Sequence, residues 1–140
     1  MNVAIVYWSG TGNTEAMAKA IERGLKAGGA STSLLSVENA TVSVVDEYDG
    51  LALGCPSMGD EVLEESYFEP FFSSAEGCLS GKKIALFGSY GWGDGQWMRD
   101  WQERTRNVGA SLFGEGLIQQ YAPDESVCEA FGRDFASFCG

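Results

Sequence analysis

The chain has 140 residues, enough for one domain with a buried core, and its 44% hydrophobic and 21% charged residues are a globular rather than a disordered balance. A formal net charge of −11 argues against nucleic-acid phosphates and anionic lipid as ligands and favours basic protein partners. Histidine is absent and Cys55, Cys78, Cys128 and Cys139 form no CxxC pair, which removes the commonest general base and the usual zinc and iron–sulfur patterns, so no metal is expected.

Taken in chain order, Val3-Ala4-Ile5-Val6-Tyr7 is an apolar, partly β-branched run that predicts a strand buried on both faces, as in a parallel sheet. No basic segment precedes it, so no signal peptide is read and a cytoplasmic location is expected. Even the longest apolar runs, Val3 to Trp8 and Ile84 to Phe87, are too short to cross a bilayer. Met17, Ala20, Ile21 and Leu25 then fall at helical spacing, and Gly28-Gly29 ends that helix. A second strand is expected over Ser33 to Val37, a third over Gly50 to Gly54 and a fourth over Ile84 to Gly88. Tyr67 to Ser74 reads as an aromatic-rich helix between the last two.

Trp97, Trp101, Arg104, Thr105 and Val108 mark one face of a further helix. Leu112-Phe113 and Leu117-Ile118 predict a broken fifth strand. Val127, Phe131, Phe135 and Phe138 stripe a C-terminal helix opened by Asp124. The cysteines are expected as reduced thiols packed like small hydrophobes. Repeated strand–helix alternation without a linker implies one domain over residues 1–140, a doubly wound α/β sheet. Ligands bind such sheets beyond the carboxyl ends of the strands, which points to the loops after strands one, three and four.

The first loop is Ser9-Gly10-Thr11-Gly12-Asn13-Thr14, between a strand and a helix. Its hydroxyls and amides, with the free N–H groups and dipole of the helix start, make an anion cradle. A triphosphate loop would place Gly-Lys-Ser/Thr here, whereas Gly12 is followed by Asn13-Thr14. A dinucleotide fingerprint would want glycine where Glu15 stands. Neutral donors suit one phosphomonoester, so the expected ligand is a mononucleotide. In the second and third loops, Met58 and Trp92 each sit among glycines and polar residues, and could sandwich a flat heterocycle.

Tyr7-Trp8-Ser9-Gly10-Thr11-Gly12-Asn13-Thr14-Glu15, Met58-Gly59-Asp60-Glu61 and Gly88 to Asp94 together resemble short-chain flavodoxins, over essentially the whole chain. The resemblance implies a flavodoxin-like three-layer α/β sandwich: a five-stranded parallel sheet of order 2-1-3-4-5 with helices on both faces. It also implies a non-covalent FMN and a low-potential one-electron carrier, not an enzyme with its own substrate, cycling mainly between neutral semiquinone and anionic hydroquinone. On that likeness Ser9, Gly10, Thr11, Gly12, Asn13 and Thr14 would bind the phosphate, with Ser89 supporting that end. Trp92 would lie on one ring face and Met58 on the other. Glu61 would accept from flavin N3–H, and the Gly91 and Trp92 amides would face N1 and O2. Ser57, Tyr90 and Gly95 complete the expected cofactor contacts.

In flavodoxins the peptide after the glycine equivalent to Gly59 turns on one-electron reduction and offers its carbonyl to N5–H, so Gly59 and Asp60 would tune the redox steps. Pro56 lacks an N–H, which leaves the Ser57 hydroxyl as donor there, and Tyr121 stands where similar proteins often carry an asparagine that contacts the ribityl chain. Asp60, Glu61, Glu64, Glu65, Glu69 and Asp94 are expected around the ring, with no Lys or Arg in the loops that contact it. The expected partners of a monomer are basic redox proteins of the flavodoxin/ferredoxin reductase, pyruvate:ferredoxin oxidoreductase, hydrogenase or nitrogenase type. A phospho-receiver module would need acidic residues where Trp8-Ser9 and Cys55-Pro56 stand. Two alternatives stay open: a flavodoxin-like protein dedicated to a single enzyme partner, and a two-electron flavin oxidoreductase, although Trp92 would block a nicotinamide over the ring.

Overall fold

Val3, Ala4, Ile5 and Val6 carry no exposed surface, and a strand apolar on both faces belongs in the middle of a covered parallel sheet. The computed structural model, which describes residues 1–140, places that strand, β1 (Asn2–Tyr7), between β2 (Ser31–Ser36) and β3 (Gly50–Gly54). β3 pairs with β4 (Lys83–Tyr90), and β4 pairs with both β5 (Ser111–Leu112) and β6 (Leu117–Gln120). All pairs are parallel and the order is 2-1-3-4-5, with the fifth position shared by the two short strands. β4 runs beyond the expected Gly88, because Ser89 and Tyr90 continue the ladder against Gln119 and Gln120. β2 begins and ends earlier than expected, since Val37 leaves the sheet in a 3₁₀ turn over Val37–Asn39.

The helices are α1 (Asn13–Ala27), α2 (Val44–Glu47), α3 (Phe68–Ala75), α4 (Gln96–Asn107) and α5 (Glu125–Cys139). α2 was not expected, being too short for periodicity to register. Alternating side chains of the strands feed two cores. Ala4, Val6, Leu51, Leu53, Ile84 and Leu86 face Phe68, Phe72, Trp97 and Trp101, on the side of α3 and α4. Val3, Ile5, Ala52, Ala85 and Phe87 face Met17, Ile21, Leu25 and Phe135, on the side of α1 and α5.

The stripe expected on α5 is rotated. Its buried face is Cys128, Gly132, Phe135, Ala136 and Cys139, while Val127 is 44% exposed. Small residues set that face because α5 meets α1 backbone to backbone: a Cβ on Gly24 would lie 1.9 Å from the Glu129 carbonyl oxygen, and one on Gly132 would lie 2.2 Å from that of Ile21. Phe131 and Phe138 gather instead on Phe113, at centroid distances of 5.4 and 5.3 Å. Cys55, Cys128 and Cys139 are buried as expected of packed thiols, but Cys78 is exposed at the turn after α3.

Candidate functional site

The loop from β1 to α1 is a set of unanswered donors. Gly12 takes a left-handed conformation, φ 99°, that turns the chain into α1, and no side chain at that position caps the helix. Ser9 Oγ reaches forward and accepts from the Gly12 and Glu15 amides, each at 3.2 Å. The N–H groups of Gly10, Thr11, Asn13 and Thr14 have no acceptor in the chain. Thr14 is 1% exposed, and its hydroxyl lies 2.8 Å from that of Ser89 and also accepts from the Ser89 amide at 3.3 Å. That pair fixes the loop between β1 and α1 against the end of β4.

Beside it the ends of β1, β3 and β4 open into a cleft of about 310 Å³, lined by Ser9, Gly10, Thr11, Asn13, Thr14, Ser57, Met58, Ser89, Tyr90 and Gly91, with Trp8, Pro56 and Tyr121. Ser57 stays in register with β4 through its amide, which donates to the Ser89 carbonyl at 3.0 Å. Pro56, which lines the cleft, has no N–H to offer there. The Trp8 ring crowds Gly10, where a Cβ would lie 2.9 Å from it. The cleft wall rests on buried Trp97, whose indole N–H donates to the Cys55 carbonyl at 3.1 Å and whose ring is 5.7 Å from Tyr90.

Gly12, Gly59, Asp60, Glu61, Trp92 and Gly95 do not line that cleft. Met58 and Val62 exchange backbone hydrogen bonds at 2.9 Å, closing a turn over Gly59-Asp60-Glu61 in which Gly59 has φ 49° and Glu61 φ 56°. Trp92 is 64% exposed at the rim. Glu61 Oε1 accepts from the amides of Gly95 and Gln96, at 3.2 and 3.0 Å.

The ring of acidic charge is thinner than expected. Glu64 is buried and its carboxylate caps the start of α3, accepting from the Ser66, Tyr67 and Phe68 amides at 2.8–2.9 Å. Glu69 is paired with Arg104 at 2.6 Å, and that guanidinium holds its carboxyl below the usual range. Asp94 is paired with Arg99 at 2.8 Å and is lowered for the same reason. The two arginines are supplied by α4, outside the loops whose lack of cations is evident in the sequence. Burial pushes the Cys55 thiol well up, so it stands beneath the cleft as a neutral group.

Four free amides at a helix start, beside a cleft of small-molecule size with a thioether and aromatic side chains in its wall and no basic residue in its lining, fit a flat heterocycle carrying one phosphate. The comparisons with known proteins agree with that fit. The family model described as Flavodoxin matches residues 5–131. The chain is 50% identical over 135 residues to a flavodoxin of Clostridium beijerinckii, covering 95% of this chain and 98% of that one. It is 48% identical over 131 residues to a flavodoxin of Megasphaera elsdenii, covering 94% and 96%. The solution structure of two-electron reduced Megasphaera elsdenii flavodoxin superposes with a TM-score of 0.89, covering 96% of this chain and 98% of that one. This chain therefore belongs to the flavodoxins, a family of FMN-binding electron-transport proteins.

Proposed function

We propose that this protein is a low-potential one-electron carrier that works as a single domain and a monomer in the cytoplasm. The observation that carries the reading is the unpaired amide set of Gly10, Thr11, Asn13 and Thr14, opening into the cleft that Met58, Tyr90 and Gly91 also line. Bound there, FMN supplies one-electron chemistry, chiefly between its half-reduced and fully reduced levels.

The chain's own residues bind and tune. Ser9 to Thr14 hold the phosphate by neutral donors and the helix dipole, and the Thr14–Ser89 pair sets their position. Ser57, Met58, Tyr90 and Gly91 would flank the ring, and Trp92, exposed at the rim, would cover its other face. Glu61 and Gly95 hold the two loops around it. Gly59 and Asp60 would hold the turn beside the ring, and their shared peptide could offer its carbonyl there as a hydrogen-bond acceptor, a change of dihedrals that a glycine at φ 49° permits.

Asp60, Glu61 and Glu65 carry no cationic partner and oppose negative charge on the ring, which favours a strong reductant. With a net charge of −11 they also suit basic partners, such as a flavodoxin/ferredoxin reductase, a pyruvate:ferredoxin oxidoreductase, a hydrogenase or a nitrogenase component. No helix is long and apolar enough to cross a membrane.

An anaerobic reductive titration of the FMN-loaded protein, followed in the visible spectrum, tests the reading. Uptake of one electron in each of two resolved stages, the second needing a strong reductant, is the expected result. A single two-electron bleach would favour a two-electron oxidoreductase, and a protein that takes up no FMN would overturn the assignment.

A further inference from the structure

The amides of Gly10, Thr11, Asn13 and Thr14 are free, yet the chain carries an anion of its own beside them. Glu15 is the third residue of α1. A glutamate at that place in a helix leans towards the helix start and often turns back to accept from an amide there. Here it does not. Its Oε2 accepts from the Tyr7 hydroxyl at 3.1 Å and lies 3.8 Å from Lys19 Nζ, and no loop amide donates to it. The Gly12 amide, which a glutamate in that position would cap, donates to Ser9 Oγ instead.

Of its two partners, the phenol is the fixed one. Tyr7 ends β1, in ladder with both Ser36 and Gly54, and its ring packs on the core that faces α1 and α5. Burial, with the Glu15 carboxylate as acceptor, raises the Tyr7 hydroxyl above its ordinary range, so it stays protonated and remains a donor. Lys19 and Glu15 are 57% and 42% exposed, and an ion pair that open to water holds a side chain only weakly. Neither Tyr7 nor Glu15 lines the cleft, so their effect on a ligand runs through charge rather than contact.

We propose that Tyr7 is a positioning residue for phosphate binding, which holds the Glu15 carboxylate aside and so keeps the chain's own anion out of the amide cradle. Released, that carboxylate turns to the free amides, competes for the donors a phosphate needs and repels the phosphate itself. The proposal rests on the FMN reading above. It predicts a loss confined to ligands that carry the phosphate and cancelled when Glu15 has no charge, which a merely structural role would not produce.

The test compares wild type, Tyr7→Phe, Glu15→Gln and the double variant. Affinity is measured by quenching of flavin fluorescence for FMN and for riboflavin, which lacks the phosphate. Tyr7→Phe should weaken FMN about fivefold and leave riboflavin within about twofold of wild type. Glu15→Gln should bind FMN at least as tightly as wild type, and adding Tyr7→Phe to it should change FMN affinity by less than about twofold. Wild-type FMN affinity in Tyr7→Phe, equal losses for FMN and riboflavin, or a loss that persists in the double variant would each overturn the proposal while the carrier reading stands. If wild type binds FMN no more tightly than riboflavin, the phosphate assignment fails and the proposal fails with it.

Discussion

Glu61 and Gln96 are joined by a hydrogen bond of 3.0 Å from the Gln96 amide to Oε1, so a residue of the turn after β3 caps the helix that follows β4. α4 needs this, because its own N-cap position is Gly95, which has no side chain to serve. The carboxylate also accepts from Gly95 and lies against Gly93, so it ties together the loops that follow β3 and β4.

Glu61→Ala should therefore destabilise the flavin-free protein by about 1–2 kcal/mol, as loss of a cap does, and Glu61→Gln by less, about 0.3–1 kcal/mol for the lost charge at the helix start. Urea unfolding of the flavin-free protein reads this directly. An unchanged midpoint in Glu61→Ala would mean that water replaces the cap at no cost.

Thr14→Val removes the hydroxyl that faces Ser89 while nearly keeping the volume. With Thr14 at 1% and Ser89 at 5% exposure, the Ser89 hydroxyl and amide then lose their buried partner. The expected cost is about 1–3 kcal/mol of unfolding free energy, together with weaker FMN binding, because the loop that carries the free amides of Gly10, Thr11, Asn13 and Thr14 is held in place by that pair. Ser89→Ala with Thr14→Val should cost less than the sum of the single changes, since both partners are then gone.

The sheet order, both faces of β1 and the loop of unpaired amides between β1 and α1 were legible because each rests on a local pattern: an apolar run, a helical stripe, glycines and hydroxyls at a strand end. What the sequence hid depends on residues brought from elsewhere. Glu64 and Glu69 read as ring charges until α3 and α4 are placed, after which one is a buried cap and the other a partner of Arg104. The packing face of α5 was misplaced because backbone contact at Gly24 and Gly132 leaves no hydrophobic signature. Tyr121 was singled out by the resemblance, but nothing in Gln120-Tyr121-Ala122 announces the left-handed turn through which it reaches the cleft.

Acid should weaken the α3–α4 junction in a defined window. Arg104 keeps the Glu69 carboxyl below its ordinary range, so the unfolded chain takes up that proton first as the pH falls. The resulting stabilisation is fully present above about pH 4.3, the ordinary glutamate value, and disappears as the pH falls through the lowered folded-state value. Glu69→Gln should flatten the decline in urea midpoint below pH 4 relative to wild type. With both side chains about one-third exposed the effect is small, and 0.5 M salt should reduce it. Parallel acid limbs in the two proteins would show that the pair does not contribute.

Gly59 separates conformational strain from crowding, because its φ is 49° and nothing lies within 4 Å of where a Cβ would stand. Turning the Gly59–Asp60 peptide exchanges one set of dihedrals for another, and glycine reaches both at similar energy. Valine, branched at Cβ, resists the left-handed region by about 1–2 kcal/mol, whereas asparagine is tolerated there. Gly59→Val should therefore lower the yield of the half-reduced form and shift the separation of the two potentials by about 40–90 mV, while Gly59→Asn stays closer to wild type. Reductive titration of the FMN-loaded variants measures both quantities. If Gly59→Val keeps the wild-type yield and potentials, the peptide does not turn in this protein and the tuning must lie with the charges of Asp60 and Glu61. If valine and asparagine shift them equally, loss of chain flexibility rather than the left-handed angle is the cause.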